Sequence, residues 1–208
     1  MAPGEVILGG FEKVRDELVL IKNLVIAANG PSRIAADYGS FLFRALGPGI
    51  FNSITVVDGF EVPSINLHLM QFAGYLTLSQ SGESEVLANG VKRAAKLGLS
   101  CINVVNVEDS RIARVITEMA SKQPHSHQDD IDWFESENIG MYMKSGVSYS
   151  DVKSFMPEVI CLALVGLWFS HAKSTVKDKA MMDKRIKLQM EIERLPTRLD
   201  MLMEESMI

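Results

Sequence analysis

Short apolar runs and runs with helical spacing follow one another along the chain. The apolar runs at residues 24–28, 54–57 and 75–78, and the segment SCINVVNV at 100–107, are rich in aliphatic and β-branched residues and predict buried strands. Apolar residues three and four positions apart follow the first, third and fourth runs and predict helices. Strands that alternate with helices indicate a mostly parallel sheet with helices on both faces.

The segment LTLSQSGESEVLANGVKRAAKLG, residues 76–98, contains one such junction of strand and helix. Leu87, Val91 and Ala94 lie at helical spacing, and polar residues occupy most of the other positions. This spacing predicts a helix that begins near Ser84 and ends at Gly98, because glycine readily adopts the left-handed conformation that ends a helix.

Hydroxyl groups cluster immediately before this predicted helix, at Ser79, Ser81 and Ser84, together with Gln80. The first turn of a helix has unpaired N–H groups and a partial positive charge, and serine hydroxyls donate further hydrogen bonds, so the junction suits a phosphate. Gly82 would let the backbone come close to such a ligand. The alternative is that Ser81 or Ser84 only caps the helix and the remaining residues form a turn.

The composition describes a globular chain with enough apolar residues for one domain, or for one domain and an appendage. Its 208 residues are 47% hydrophobic, and the net charge of -5 argues against nucleic acid and anionic membranes as partners. The longest apolar run, residues 160–169, is shorter than a bilayer span and predicts a buried helix. The opening MAPGEVILGG lacks the features of a signal peptide, and both cysteines lie in apolar runs, so we expect a cytoplasmic protein with reduced thiols.

Two further segments differ from the alternating pattern. Residues 121–138 are acidic and aperiodic and predict a surface loop. Two histidines and neighbouring aspartates in this segment are more typical of a solvated loop than of a metal site. We therefore expect no metal and no cofactor. Helical spacing resumes at Lys177, is interrupted by Pro196 and continues in a final amphipathic piece. Its apolar residues predict a homodimer; they are Met181, Met182, Ile186, Met190, Leu199, Leu202 and Met203.

Two loops of the chain, NGPS at 29–32 and SQSGES at 79–84, together resemble the phosphate-contacting loops of the sugar isomerase (SIS) superfamily. The resemblance is closest to the first of the two SIS modules in the glutamine:fructose-6-phosphate aminotransferase family, and it extends from Leu24 to about Leu202. It implies a three-layer αβα sandwich around a mostly parallel, five-stranded, flavodoxin-like sheet, with a helical extension at the C-terminus. The expected boundaries are 1–175 for the SIS domain and 176–208 for an extension that resembles the tether between modules.

The same resemblance implies that the chain binds the phosphate of a hexose 6-phosphate. The residues implied to contact it are Gly30, Ser32, Ser79, Gln80, Ser81 and Ser84. Lys153 in DVKSF matches a family lysine at a helix start but lacks the Ser-Thr that precedes it there. Asn29 stands in place of the family's cysteine, and Pro31 removes a backbone donor.

The resemblance leaves the catalytic residues unknown. Neither a glutaminase with an N-terminal cysteine nor the second SIS module is recognisable in these residues, so we expect one module of an aminotransferase, isomerase or deglycase that works with a second module. The alternatives are a stand-alone ketose/aldose phosphate isomerase and a sugar-phosphate sensor. In the isomerase alternative, Glu83 or a carboxylate of a neighbouring subunit is the candidate proton carrier. A carboxylate in the first turn of a helix is also favoured by the helix dipole alone.

Overall fold

Strands and helices alternate through most of the chain, as the apolar pattern predicts. The computed structural model describes residues 6–47, 49–67, 70–121, 138–142, 151–173 and 179–206. The helices are α1 Gly10–Lys13, α2 Arg15–Leu18, α3 Gly30–Leu46, α4 Glu85–Lys96, α5 Arg111–Ser121, α6 Asp151–Ala172 and α7 Lys179–Ser206. The strands are β1 Asn23–Ala28, β2 Ser53–Asp58, β3 Ala73–Ser79, β4 Ser100–Val105 and β5 Asn138–Tyr142, and a 3₁₀ helix, Gly59–Ser64, follows β2.

The five strands form one parallel sheet in the order β2-β1-β3-β4-β5. Val25 of β1 lies beside Thr55 of β2 on one side and beside Tyr75 of β3 on the other, and Tyr75 lies beside Cys101 of β4. The chain therefore proceeds from β1 towards one edge of the sheet and from β3 towards the other. In parallel sheets of this kind, ligands bind at the carboxyl ends of the strands where the strand order reverses.

Helices cover both faces of the sheet and create two separate cores. One core contains Leu76 and Ile102 of the sheet, packed with Phe43 of α3 and with Leu162 and Trp168 of α6. The other core contains Val25, Tyr75 and Cys101 of the sheet, packed with Leu87 and Ile112 of α4 and α5. The expected three-layer arrangement with five parallel strands is confirmed.

Helix α6 is more apolar than a surface helix because much of it is buried. Its stretch Phe155–Ala172 is long and apolar enough to cross a membrane by length and composition alone. The sequence analysis considered only the shorter run 160–169, which is too short to do so. Half of the longer stretch is buried inside the protein. Buried residues on several sides of the helix, among them Val165, Leu167 and Phe169, contact the core shared with α3. In this structure α6 is therefore a core helix of the sandwich.

The C-terminal helix differs from the prediction at Pro196. Helix α7 runs without interruption from Lys179 to Ser206 and includes Pro196, so the expected break there is wrong. Proline removes one backbone hydrogen bond and crowds the preceding turn, and the long helix continues on both sides of it. The first part of α7 is fastened to the domain: Arg185 donates to the carbonyl of Ser170 at 3.0 Å, and Leu188 packs against the core. The boundary between residues 175 and 176 stays a prediction.

Candidate functional site

Three loops meet at the carboxyl end of the sheet, beside the reversal of strand order. They follow β1, β3 and β4 and lead into α3, α4 and α5. Backbone hydrogen bonds join two of them: the N–H of Asn106 donates to the carbonyl of Gln80 at 3.2 Å, and the N–H of Ile112 donates to the carbonyl of Gly82 at 2.9 Å. The loop between β3 and α4, residues 80–84, is thereby attached to the loop after β4 and to the first turn of α5.

The serine side chains of this loop accept hydrogen bonds from nearby backbone N–H groups. Ser79 Oγ accepts from Gly82 at 3.1 Å, Ser81 Oγ accepts from Glu83 at 3.3 Å, and Ser84 Oγ caps α4 by accepting from Leu87 at 3.4 Å. Ser84 therefore caps α4, and its expected role in phosphate binding stays a prediction. Each of these bonds occupies one lone pair of the serine oxygen. Within the described residues, the proton of each of the three hydroxyls makes no hydrogen bond to the protein. The three hydroxyls can therefore donate to an anion at the positive end of α4.

Gly82 is required by its protein neighbours. Its φ of +68° lies in the left-handed region, and a Cβ at this position would lie 2.2 Å from Ser110 Oγ. Ser110 is fully buried, and its Oγ accepts from the N–H of Ala113 in the first turn of α5 at 3.4 Å. The structure shows that Gly82 gives Ser110 room, and the close approach of a ligand to its backbone stays a prediction.

Asn29 and Gly30 connect β1 to α3 at the same edge of the sheet. Gly30 has a φ of +53°, and among the described residues beyond its own turn no atom lies within 4 Å of the position of its absent Cβ. Asn29 Oδ1 accepts from the N–H of Gly59 at 2.7 Å, and its Nδ2 donates to Ser84 Oγ at 3.2 Å. The asparagine thus joins the loops after β1, β2 and β3.

Ser32 differs from the serines of the loop after β3 because its side chain contacts α6. Its hydroxyl is buried and donates to Glu158 Oε1 of α6 at 2.7 Å, on the face of the sheet opposite to α4. Glu158 is fully buried, and the sequence analysis did not identify it, although a carboxylate beside the apolar run of α6 was a usable signal. The role of Ser32 in phosphate binding stays a prediction.

Glu83 contacts the beginning of α5. Its Oε1 accepts from the backbone N–H of Arg111 at 3.1 Å, and its Oε2 lies 4.0 Å from Arg111 Nε. A carboxylate that receives an N–H of the first helical turn stabilises that helix. The dipole alternative placed Glu83 in the first turn of the helix after the serine loop, but α4 begins at Glu85 with Ser84 as its N-cap, and Glu83 contacts α5 instead. Lys153 lies in the first turn of α6, and its side chain is outside the described part of the structure.

Comparison with known proteins supports the assignment suggested by these loops. The chain is 27% identical over 203 residues to the glutamine–fructose-6-phosphate aminotransferase [isomerizing] of Tropheryma whipplei. It superposes with a TM-score of 0.67 and 18% identity on the C-terminal domain of glucosamine-fructose-6-phosphate aminotransferase from Francisella tularensis, over 97% of this chain. The chain has the sugar isomerase (SIS) fold. No protein-family model matches it.

A second solved structure extends the comparison to a protein with a ligand. A protein of E. coli CFT073 in complex with a sugar phosphate superposes with a TM-score of 0.54 and 18% identity, over 85% of this chain and 83% of that one. By contrast, this chain spans 28% of the T. whipplei relative and 52% of the F. tularensis structure. The resemblance to the SIS superfamily and to one part of these aminotransferases is confirmed.

An apolar cavity of this SIS fold lies at the opposite end of the sheet. It has a volume of about 460 Å³ and a mainly apolar lining that includes Leu20, Phe72 and Leu97, near the first residues of β3 and β4. Lys173, whose pKa is lowered to about 8 by burial, also lies at that end and donates to the carbonyl of Ile50 at 2.8 Å. Neither feature is close to the serine loop.

Nucleophilic cysteine chemistry finds no support in the structure. Burial raises the pKa of the Cys101 thiol to about 12 and that of the Cys161 thiol to about 11, so both remain protonated near neutral pH. Among the residues that the structure describes, no three His, Cys, Asp or Glu side chains are grouped closely enough to hold a metal ion. The segment with His125 and His127 lies outside the described residues.

Proposed function

We propose that this chain is a phosphosugar-binding SIS domain that holds the phosphate of a hexose 6-phosphate at the loop between β3 and α4. The observation that carries this proposal is that three serine hydroxyl oxygens all accept hydrogen bonds from the backbone. Ser79, Ser81 and Ser84 all accept from backbone N–H groups, so their protons are left for a ligand that only accepts hydrogen bonds. A phosphate has such oxygens, and its negative charge is favoured at the N-terminus of α4.

The names of similar proteins support a sugar phosphate as the ligand class. The T. whipplei relative is named for fructose 6-phosphate, and the E. coli protein of the same fold is in complex with a sugar phosphate. We propose that this domain works as one module of an aminotransferase, isomerase or deglycase, together with a second SIS module. The described residues leave space beside Gly30, and we propose that the sugar lies there.

We also propose that the domain associates with a second copy of itself. Helix α3 exposes Ile34, Tyr38 and Phe41, at the four- and three-residue spacing of a helix seam. Helix α7 exposes Leu199 and Leu202. Apolar surfaces of this kind on two helices are typical of an interface between proteins.

Isothermal titration calorimetry with fructose 6-phosphate and glucosamine 6-phosphate tests the proposed ligand class. We expect Ser81→Ala to weaken binding by about 10-fold or more, because a hydrogen bond to a charged group contributes about 1.5–3 kcal/mol. Ser53→Ala is the matched control: Ser53 is an exposed serine at the first residue of β2, at the other end of the sheet, and its loss should leave affinity unchanged. Equal affinity of wild type and Ser81→Ala would contradict the proposed site.

A further inference from the structure

The amide of Asn29 has a defined orientation because each of its ends contacts a different partner. The backbone N–H of Gly59 can only donate, so the side-chain atom 2.7 Å from it must be the amide oxygen. The amide nitrogen therefore faces Ser84 Oγ, at 3.2 Å, and donates to it. The orientation of Asn29 thus follows from the 3₁₀ helix after β2, which begins at Gly59.

This orientation determines what Ser84 offers to a ligand. Ser84 Oγ already accepts from the N–H of Leu87, and the amide of Asn29 provides a second donor. A hydroxyl oxygen has two lone pairs, so both are occupied and only the hydroxyl proton is left for another partner. The side chain of Ser84 is partly exposed at the N-terminus of α4. It can therefore donate to a bound group and cannot accept from it.

We propose that Asn29 is a positioning residue that makes Ser84 an obligate donor and so favours phosphate at this loop over groups that carry protons. This inference rests on the proposed phosphosugar function. The bonds from Gly59 to Asn29, from Asn29 to Ser84 and from Ser84 to the ligand all run in one direction, and hydrogen bonds in such a chain strengthen one another. Asn29 does not itself need to touch the ligand.

Gly59 allows the close approach on which this chain depends. A Cβ on Gly59 would lie 2.5 Å from Asn29 Oδ1, 3.0 Å from its Nδ2 and 3.0 Å from Leu87 Cδ2, so the amide of Asn29 is the tightest contact. The backbone of Gly59 does not have the positive φ that would itself require glycine. Alanine at this position would therefore displace the amide of Asn29 while leaving the serine loop unchanged in sequence.

A double-mutant cycle with Asn29→Asp and Ser84→Ala tests the inference, with fructose 6-phosphate as the probe in calorimetry. Aspartate has nearly the shape of asparagine, but its carboxylate can only accept hydrogen bonds. The hydroxyl of Ser84 would therefore donate its proton to the aspartate and could no longer donate it to the ligand. In the wild-type background we expect Ser84→Ala to weaken binding by about 10-fold or more. In the Asn29→Asp background the same change should alter affinity by less than about twofold.

The cycle separates the effect of the orientation of the Ser84 hydroxyl from the effect of the added charge. The charge of Asp is present both in Asn29→Asp and in the double mutant, so it cancels when the effect of Ser84→Ala is compared in that background. Asn89→Asp adds the same charge to an exposed position of α4 and is the matched control, in which Ser84→Ala should keep its full effect. If Asn29→Asp does not fold, as judged by circular dichroism, Gly59→Ala replaces it. We expect Gly59→Ala to weaken binding by about threefold or more, because Asn29 is displaced from Ser84.

The outcomes distinguish the two proposals. An equal effect of Ser84→Ala in both backgrounds, or wild-type affinity in Gly59→Ala, overturns the role of Asn29 and leaves the phosphosugar function intact. Absence of binding by the wild-type protein, for fructose 6-phosphate and inorganic phosphate alike, overturns both. A large effect of Ser84→Ala in wild type together with a negligible one in Asn29→Asp supports both.

Discussion

At the scale of single residues, the serine loop shows which roles can be inferred from sequence. Ser79, Ser81 and Ser84 lie within a few residues of the backbone N–H groups that they accept, so local sequence was enough to place them at a helix start. By contrast, Asn29 forms a hydrogen bond with Ser84, 55 positions away in the chain, and Ser32 forms one with Glu158, 126 positions away. Such partners depend on how helices and strands pack, and no local pattern identifies them.

The contacts of Glu83 lead to a prediction about stability. Glu83→Ala should lower the free energy of unfolding by about 1 kcal/mol, because the N–H of Arg111 loses its acceptor at the start of α5. Glu83→Gln keeps an oxygen at the same place and should lower it less. Urea denaturation followed by circular dichroism measures both variants, and neither should weaken the binding of fructose 6-phosphate.

The stand-alone isomerase alternative makes the opposite claim about Glu83. It requires that the isolated chain convert fructose 6-phosphate to glucose 6-phosphate, with Glu83 or a carboxylate of a neighbouring subunit carrying the proton. We expect no such turnover in a coupled assay, because the carboxylate of Glu83 contacts α5. Turnover by the wild-type chain that disappears in Glu83→Gln would show that the carboxylate is catalytic.

At the scale of elements, α3 and α6 approach each other closely because each has a glycine at the contact. Gly39 of α3 faces Leu162, where a Cβ would lie 2.6 Å from the leucine Cδ1. Gly166 of α6 faces Phe43, where a Cβ would lie 2.6 Å from the ring. This close pairing holds the helix that begins in the NGPS loop against the core.

Gly166→Ala should therefore lower the free energy of unfolding. Overpacking costs about 1–3 kcal/mol, and the better helix propensity of alanine returns about 1 kcal/mol, so we expect a net loss of about 1 kcal/mol. Asn89→Ala, an exposed change on α4, is the control and should be neutral or slightly stabilising. Thermal and urea denaturation measure both; a more stable Gly166→Ala would show that the ring of Phe43 moves aside without cost.

At the scale of the whole molecule, α3 and α7 leave apolar side chains exposed. Of the residues expected at a dimer interface, Met182, Met190, Leu199 and Leu202 are exposed, whereas the side chain of Met203 is outside the described set. Arg185 and Leu188 attach the beginning of α7 to the domain. Leu199 and Leu202 lie further along the helix, in its later turns, where they are exposed. A second copy could cover them.

We expect the protein to sediment as a dimer at micromolar concentration. Leu199→Glu combined with Leu202→Glu should shift it to the monomer, because charges would be buried without partners in the interface. Gln189→Glu adds a charge to a partly exposed position on the same helix and is the control that should remain a dimer. A monomeric wild type, or a dimer that tolerates both glutamates, would contradict an interface on this part of α7.

The sequence pattern by itself indicated strands β1 to β4, the helices after β1, β3 and β4, a mostly parallel sheet and the serine loop at the start of α4, because periodicity and helix capping act over only a few residues. The fifth strand was expected only from the resemblance to the SIS superfamily. The tertiary structure decided which loops meet, since that depends on the strand order β2-β1-β3-β4-β5. It brought Asn29 to Ser84, placed Ser32 against Glu158, and used Gly82 to admit Ser110. It also continued α7 through Pro196, where local propensity predicted a break. Each of these depends on packing between segments far apart in the chain, which no local pattern contains.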